Sequence, residues 1–214
     1  SSSDAGEIEV LLSGATGATR INFSGTEAID IDGGTGTGDD TLTMNATGDD
    51  DAITVDSSAT TQVNAGPLVS LSNLGSTASA ITLNGQNGND SFSIDPLAGI
   101  AVTANGGDPT ASDSVVVNIS AATTVTGLTI DGATVQMSGA ADVTLATIEH
   151  LTIAGDAGDD ALTVTTPAGV ISSTLTPGST IDSGDVQVAS LVPLSFANLG
   201  ATGSLVIDDA DAIA

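Results

Sequence analysis

Glycine-rich turns that carry adjacent acidic residues are the groups in this sequence best suited to chemistry. The clearest read GTGDDTLTM over 36–44, GDDDAITV over 48–55, GQNGNDSFSI over 85–94 and GDAGDDALTV over 155–164, with a looser relative, GGDPTASDSV, over 106–115. Carboxylate and amide oxygens are the ligands that Ca²⁺ prefers, and glycine lets the backbone bend tightly around them. These turns therefore predict cation binding.

The predicted metal ligands are the acids and one asparagine of these turns, together with two acids near the end of the sequence. They are Asp39, Asp40, Asp49, Asp50, Asp51, Asn89, Asp90, Asp108, Asp113, Asp156, Asp159, Asp160, Asp208 and Asp209. Such turns also form without metal, because Asp and Asn cap their own backbone. Two or three adjacent acids favour a cation, since their mutual repulsion otherwise costs stability.

The charge balance narrows the possible partners. The chain has 27 acids, one arginine, one histidine and no lysine, which gives a formal charge of −26. Nucleic acid and anionic membrane surfaces are excluded as partners, because binding them requires Lys and Arg. Salt or divalent cations must offset this charge from outside.

Paired carboxylates raise the question of catalysis, since glycoside hydrolases use two of them. Sugar-cleaving sites add aromatic and basic residues, and this sequence has no Trp or Tyr and offers only Arg20 and His150 as cations. We expect Arg20 to form a local ion pair and His150 to be a polar surface residue. We therefore predict that the protein is not an enzyme. A β-helical polysaccharide-degrading enzyme is the least favoured alternative.

The segments between the turns alternate Leu, Ile, Phe or Val with Thr or Ser, which is typical of strands with one apolar face. With only three Phe and no larger aromatic residue, the core must be thin and aliphatic. We predict an all-β fold, an elongated parallel β-solenoid resembling a β-helix. The alternative is a tandem array of antiparallel β-sandwich modules.

Internal repeats divide the sequence. Val10, Val63, Val135 and Val188 occupy equivalent places in four similar passages, at separations of 53, 72 and 53 residues. This spacing indicates two copies of a long repeat of about 125 residues, the second one incomplete. The predicted copies are 1–133, with modules 7–61 and 62–133, and 134–214, with modules 134–185 and 186–214.

The second copy stops within its repeat. We therefore expect either a fragment of a longer array or a subunit whose end is completed by a neighbour. The sequence has no cysteine and no apolar run long enough to cross a membrane. Metal in place of disulfides suits an extracellular protein, and we expect no membrane insertion.

The acidic turns resemble the RTX-type nonapeptide, Gly-Gly-x-Gly-x-Asp-x-(large apolar)-x. Asp40, Asp90 and Asp160 fall on its Asp position. The resemblance implies turns of a parallel β-roll that bind Ca²⁺. The wider arrangement, including NGGDPTASDSVVV from Asn105, resembles the long repeats of giant bacterial surface proteins, notably those of planctomycetes. It implies an extracellular, repetitive structural protein.

These observations predict a structural subunit of an extracellular filament, surface layer or adhesin stalk that assembles head to tail and is stabilised by calcium. The alternative is a calcium-dependent adhesin or glycan-binding module, whose partners would be glycans or other components of a cell surface.

Overall fold

A computed structural model describes most of the chain. The described residues are 5–11, 19–24, 26–34, 39–74, 79–108, 112–119, 128–131, 133–158, 160–169, 172–188, 191–200 and 203–209. Of 5–11, 19–24, 128, 129, 131 and 209 the backbone alone is described. Within these residues no helix is long and apolar enough to cross a membrane.

The fold is a β-solenoid of about four turns, built from strands. The predicted all-β solenoid is confirmed, and the alternative of separate sandwich modules is wrong. The strands are β1 (Ala5–Leu11), β2 (Thr19–Ser24), β3 (Ala28–Asp32), β4 (Thr41–Asn45), β5 (Ala52–Val55), β6 (Thr60–Val63), β7 (Leu68–Ser72), β8 (Ser79–Asn84), β9 (Ser91–Ile94), β10 (Ile100–Asn105), β11 (Ser114–Asn118), β12 (Leu128–Asp131), β13 (Thr134–Met137), β14 (Val143–Ala146), β15 (His150–Ala154), β16 (Ala161–Thr166), β17 (Ser173–Pro177), β18 (Gly184–Val188), β19 (Leu194–Ala197) and β20 (Ser204–Asp209).

The described strands form two sheets of ten strands each. Sheet A runs β2-β1-β4-β8-β10-β14-β13-β12-β16-β20, and sheet B runs β17-β18-β19-β15-β11-β9-β5-β6-β7-β3. The chain crosses from one sheet to the other and back, so that a pair of strands makes one rung. Rung strands stack in parallel, as β4, β8, β10 and β14 do in sheet A.

The core lies between the two sheets and is built from columns of aliphatic side chains. One column in sheet A consists of Leu42, Ile81, Val102 and Val143, which are in register and buried. Phe92 lies in a matching column of sheet B and is also buried. Because facing sheets pack only about 10 Å apart, such side chains fill the space without Trp or Tyr.

Each of the four similar passages contributes an antiparallel pair of strands: β1–β2, β6–β7, β13–β14 and β18–β19. The pairs alternate between sheets A, B, A and B. The 72-residue interval is the long one because it contains an additional rung, β10 and β11. The boundary between copies at 133 and 134 stays a prediction from the sequence.

Candidate functional site

The acidic turns lie on two edges of the solenoid. The turns after β4, β8, β10 and β14 lead from sheet A to sheet B and form the first edge, whereas the turns after β3, β7, β15 and β19 form the second. The first edge carries Asp49, Asp50, Asp51, Asn89, Asp90, Asp108 and Asp113, and the second carries Asp39, Asp40, Asp156 and Asp160. Asp208 is an exposed residue of β20; Asp159 and the side chain of Asp209 lie outside the described residues.

A ladder of acidic side chains connects the rungs along the first edge. The backbone N–H of Asp51 donates to Asp90 Oδ1 at 2.8 Å, that of Asp90 to Asp113 Oδ1 at 2.7 Å, and that of Asp113 to Glu149 Oε2 at 2.8 Å. Asp51, Asp90 and Asp113 are at most 3% exposed. We call these four residues the acid ladder. Each of these three bonds joins one turn to the next, so the acid ladder connects four successive turns.

Glu149 is a member of the ladder that the sequence did not identify. Its position in the sequence could have identified it, because Glu149 directly precedes a strand, as Asp51, Asp90 and Asp113 do. The sequence shows this acid without a glycine-rich turn around it, and for that reason it was not grouped with the others. The neighbouring His150 is exposed, and its backbone N–H donates to the carbonyl of Asp113 at 3.1 Å.

Asp51 ends the ladder with a fully satisfied carboxylate. The backbone N–H and the hydroxyl of Thr47 both donate to its Oδ2 at 2.8 Å, and the side-chain amide of Asn64 donates to its Oδ1. Thr47 and Asn64 were not predicted as site residues. Asn64 adopts a positive φ of 53°, and its side-chain oxygen accepts the N–H of Ala52 at 2.9 Å.

Asp90 and Asp113 each have one oxygen, Oδ2, that is buried and has no hydrogen-bond partner among the described residues. Both Oδ2 atoms lie against the Cα of a glycine that follows the preceding strand, where a Cβ would clash with them. Only a weak C–H···O contact is available there. The close approach of a carboxylate oxygen to a glycine occurs in four turns: Gly33 with Asp40, Gly85 with Asp90, Gly106 with Asp113, and Gly155 with Asp160.

The environment of Asp90 opposes its ionisation. Burial raises the pKa of this carboxyl, and the charges of Asp113, Asp51 and Asp50 raise it further. The hydrogen bond from the Asp51 N–H acts in the opposite direction but does not offset them. An extra proton or cation at Asp90 would therefore relieve an unfavourable interaction.

On the second edge, Asp32 and Asp156 accept backbone N–H groups of their own turns, and other bonds reach a neighbouring turn. Gly158 N–H donates to Asp156 Oδ1 at 2.6 Å, and Asp40 N–H donates to Ser79 Oγ at 3.2 Å. Asp32 accepts the amide of Asn73 at 2.9 Å and the N–H of Gly34 at 2.8 Å, and these bonds, that of Asn73 foremost, lower its pKa. Asp32 and Asp156 thus act as turn caps.

The described acids do not fit a closed calcium cage. Ca²⁺ takes six to eight oxygen ligands around one point, but in the described part of the chain no three acidic or histidine side chains converge on one point. The ladder acids lie in a row, one per rung, and each uses an oxygen to accept a backbone N–H. On the first edge, the exposed acids outside the ladder are Asp49, Asp50 and Asp108.

The geometry thus provides rung-to-rung connections and an acidic surface. No protein-family model, curated protein or solved structure matches the chain.

Proposed function

We propose that this chain is a structural subunit that assembles end to end into an extracellular filament, surface layer or adhesin stalk. The observation that carries the proposal is the state of the two ends of the solenoid. One end, which we call the head, presents the outer edges of β2 and β3, and the other, the tail, presents those of β17 and β20. No described strand pairs with any of these four edges.

Apolar side chains accompany the open edges of the tail. Leu175 on β17 lies opposite Val186 and thus on the inner face of sheet B, yet it is 49% exposed, whereas Val186 is 2% exposed. Leu205 and Ile207 on β20 extend the columns of sheet A and are only partly buried. These side chains are the end of a core that nothing described covers.

The head has the same character. Ile29 and Ile31 on β3 lie in register with Val69 and Leu71 of the core, but are only partly buried. Edge strands beside an open core are templates for further pairing. Contacts between two different ends leave a new free end each time, so they extend into fibres.

Calcium has a supporting part in this proposal. Like charges repeat on successive turns of the first edge, and a chain with a charge of −26 gains from bound cations. We place the ions outside the acid ladder, at the exposed Asp49, Asp50 and Asp108, in open coordination. Sites with few protein ligands bind calcium weakly, so they would be filled only where calcium is abundant, as it is outside cells. No catalytic activity is proposed.

Electron microscopy of the purified chain in calcium tests this function. We expect fibres or linear oligomers from the full chain and clearly less assembly from a chain that lacks β20, because the deletion removes one of the two tail edges. Circular dichroism serves as the control that the shortened chain still forms strands. Equal polymerisation by the folded, shortened chain would refute end-to-end assembly through this edge.

A further inference from the structure

We propose that both sheets continue without interruption from one copy to the next. β20 of one copy pairs in parallel with β2 of the next, and β17 pairs in parallel with β3 of the next. The inference rests on the proposed end-to-end assembly and specifies its contacts. It follows from the way in which strands of each type pair inside the solenoid.

Sheet A provides the first argument. The last strand of each antiparallel pair stacks in parallel on an earlier rung strand, as β7 does on β3, β14 on β10 and β19 on β15. β2 is the last strand of the first pair, but no described strand occupies the place of that earlier rung strand. β20 is a rung strand of the same sheet with a free outer edge. It fits the place beside β2 of another copy.

Sheet B gives an independent second argument. β5 and β12, the strands that precede an antiparallel pair, stack in parallel on the rung strands β9 and β16. β17 precedes the pair β18–β19 and has no such partner among the described strands. β3 is a rung strand of sheet B with a free outer edge. The same rule therefore joins β17 to β3 of the next copy.

Strand direction agrees with both proposed pairings between copies, which together we call the join. β17 is antiparallel to β18, which is antiparallel to β19, so β17 runs parallel to β19 and to the rung strands of sheet B. β3 runs parallel to β7 and belongs to the same set. A copy added by translation and rotation about the long axis presents parallel edges in both sheets at once. Two tails placed face to face would instead give antiparallel edges.

The alternation of the antiparallel pairs also continues. They occur in sheets A, B, A and B along the chain, and the next copy begins again in sheet A. Leu175 of one copy and Ile29 and Ile31 of the next then share one inner face, which is the face of the core column that contains Val186. The join covers apolar side chains at both ends.

The chain has no cysteine, so single cysteines report the join without background. Thr174 lies on β17 opposite Gln187, and Asp30 on β3 opposite Ser70; both are exposed and point away from the core. Neighbouring strands lie about 4.8 Å apart, within the reach of a disulfide. We would oxidise Thr174→Cys and Asp30→Cys separately and as a mixture. Thr176→Cys, the next outward position of β17, is tested in parallel.

The join predicts cross-linked dimers in a mixture of Asp30→Cys with one of the two β17 variants, in about tenfold excess over any single variant, because pairing raises the effective thiol concentration. The control is Thr54→Cys, an exposed position of β5 in the middle of sheet B, mixed with Asp30→Cys; it should not cross-link.

Dimers from Thr174→Cys alone would overturn the inference, because they indicate two tails in contact. Fibres seen by microscopy without cross-linking in either mixture would overturn it too, while leaving end-to-end assembly intact. Sedimentation as a monomer at all concentrations in calcium would refute the proposed function itself.

Discussion

Asp90 makes one favourable and one unfavourable interaction in the solenoid. Its Oδ1 accepts the buried N–H of Asp51, which holds two rungs together, while its Oδ2 lies against Gly85 without a donor. The residue thus gains one hydrogen bond and carries one uncompensated buried oxygen. Asparagine and alanine at this position separate the two contributions.

Asp90→Ala should reduce the free energy of unfolding by about 1–3 kcal/mol, because it leaves the buried Asp51 N–H without an acceptor. Asp90→Asn keeps an acceptor and places an amide where Oδ2 lies, so it should cost clearly less. Urea unfolding measures both, and Asp142→Asn, at an exposed acid outside the ladder and the proposed calcium sites, is the control. Equal losses for the two Asp90 variants would show that the backbone bond is not what matters.

The raised pKa of Asp90 predicts a pH dependence. Its ordinary value is 3.8, and in the folded chain it is higher, so between the two the folded state holds the proton more tightly. The stabilising contribution is therefore present below pH 3.8 and is lost as the pH rises through the folded pKa. Asp90→Asn has no proton to lose at this position, so its stability does not fall in this way as the pH rises. In EDTA, its unfolding free energy should rise relative to that of the natural chain on going from acid to neutral pH; a constant or opposite difference contradicts the assignment.

Gly85 illustrates why the turns need glycine next to the acid. A Cβ here would lie 2.5 Å from the carbonyl oxygen of Gly106 and would also clash with Asp90 Oδ2. Gly85→Ala should therefore lower stability by about 1–3 kcal/mol, the usual cost of overpacking. Gly48→Ala is the matched control, since its Cβ would meet nothing closer than 3.8 Å. A thermal melt in which both variants behave alike would speak against the contact.

At the scale of elements, the edge strand β17 is the most exposed part of sheet B, with all five residues exposed. Leu175→Lys puts a charge on its inner face, where the next copy would pack. Loss of one buried leucine contact, about 1.5–3 kcal/mol, should weaken association more than about tenfold.

Ile181→Lys is the control for this prediction. Ile181 is 86% exposed and lies in the turn between β17 and β18, outside the strand that forms the proposed join. Analytical ultracentrifugation should show weaker assembly for Leu175→Lys and unchanged assembly for Ile181→Lys. Equal weakening would indicate a general effect of charge.

Much of the element structure could be predicted from the sequence, because alternation of apolar and polar residues is local. The alternation around Leu42 and Phe92 indicates strands, and Asp40, Asp90 and Asp160 mark the turns before them. The pairing could not be predicted in this way. Asp51 meets Asp90 across 39 residues, and no local pattern shows that acids of successive turns share an edge. For the same reason Glu149 and the separation into two acidic edges were not predicted.

For the whole molecule, charge is the dominant property. The solenoid carries its acids in turns stacked about 4.8 Å apart, and only one arginine and one histidine oppose them. We expect EDTA to lower the melting temperature and dissolve assemblies, and calcium to restore both. Magnesium, which carries the same charge, is the control. Recovery with calcium alone indicates specific oxygen coordination, whereas equal recovery with magnesium indicates screening. A melting temperature that does not respond to EDTA would contradict the calcium proposal.

End-to-end continuation also fixes the dimensions of the assembly. Each sheet has ten described strands stacked along the long axis, so a copy should advance a fibre by about 48 Å, at about 4.8 Å per strand. Electron diffraction or cryo-electron microscopy of calcium-grown fibres measures the strand spacing and the subunit repeat. The proposed assembly predicts an axial strand spacing near 4.8 Å and a subunit repeat near 48 Å. A strand spacing perpendicular to the fibre axis, or a repeat of two oppositely directed copies, would contradict it.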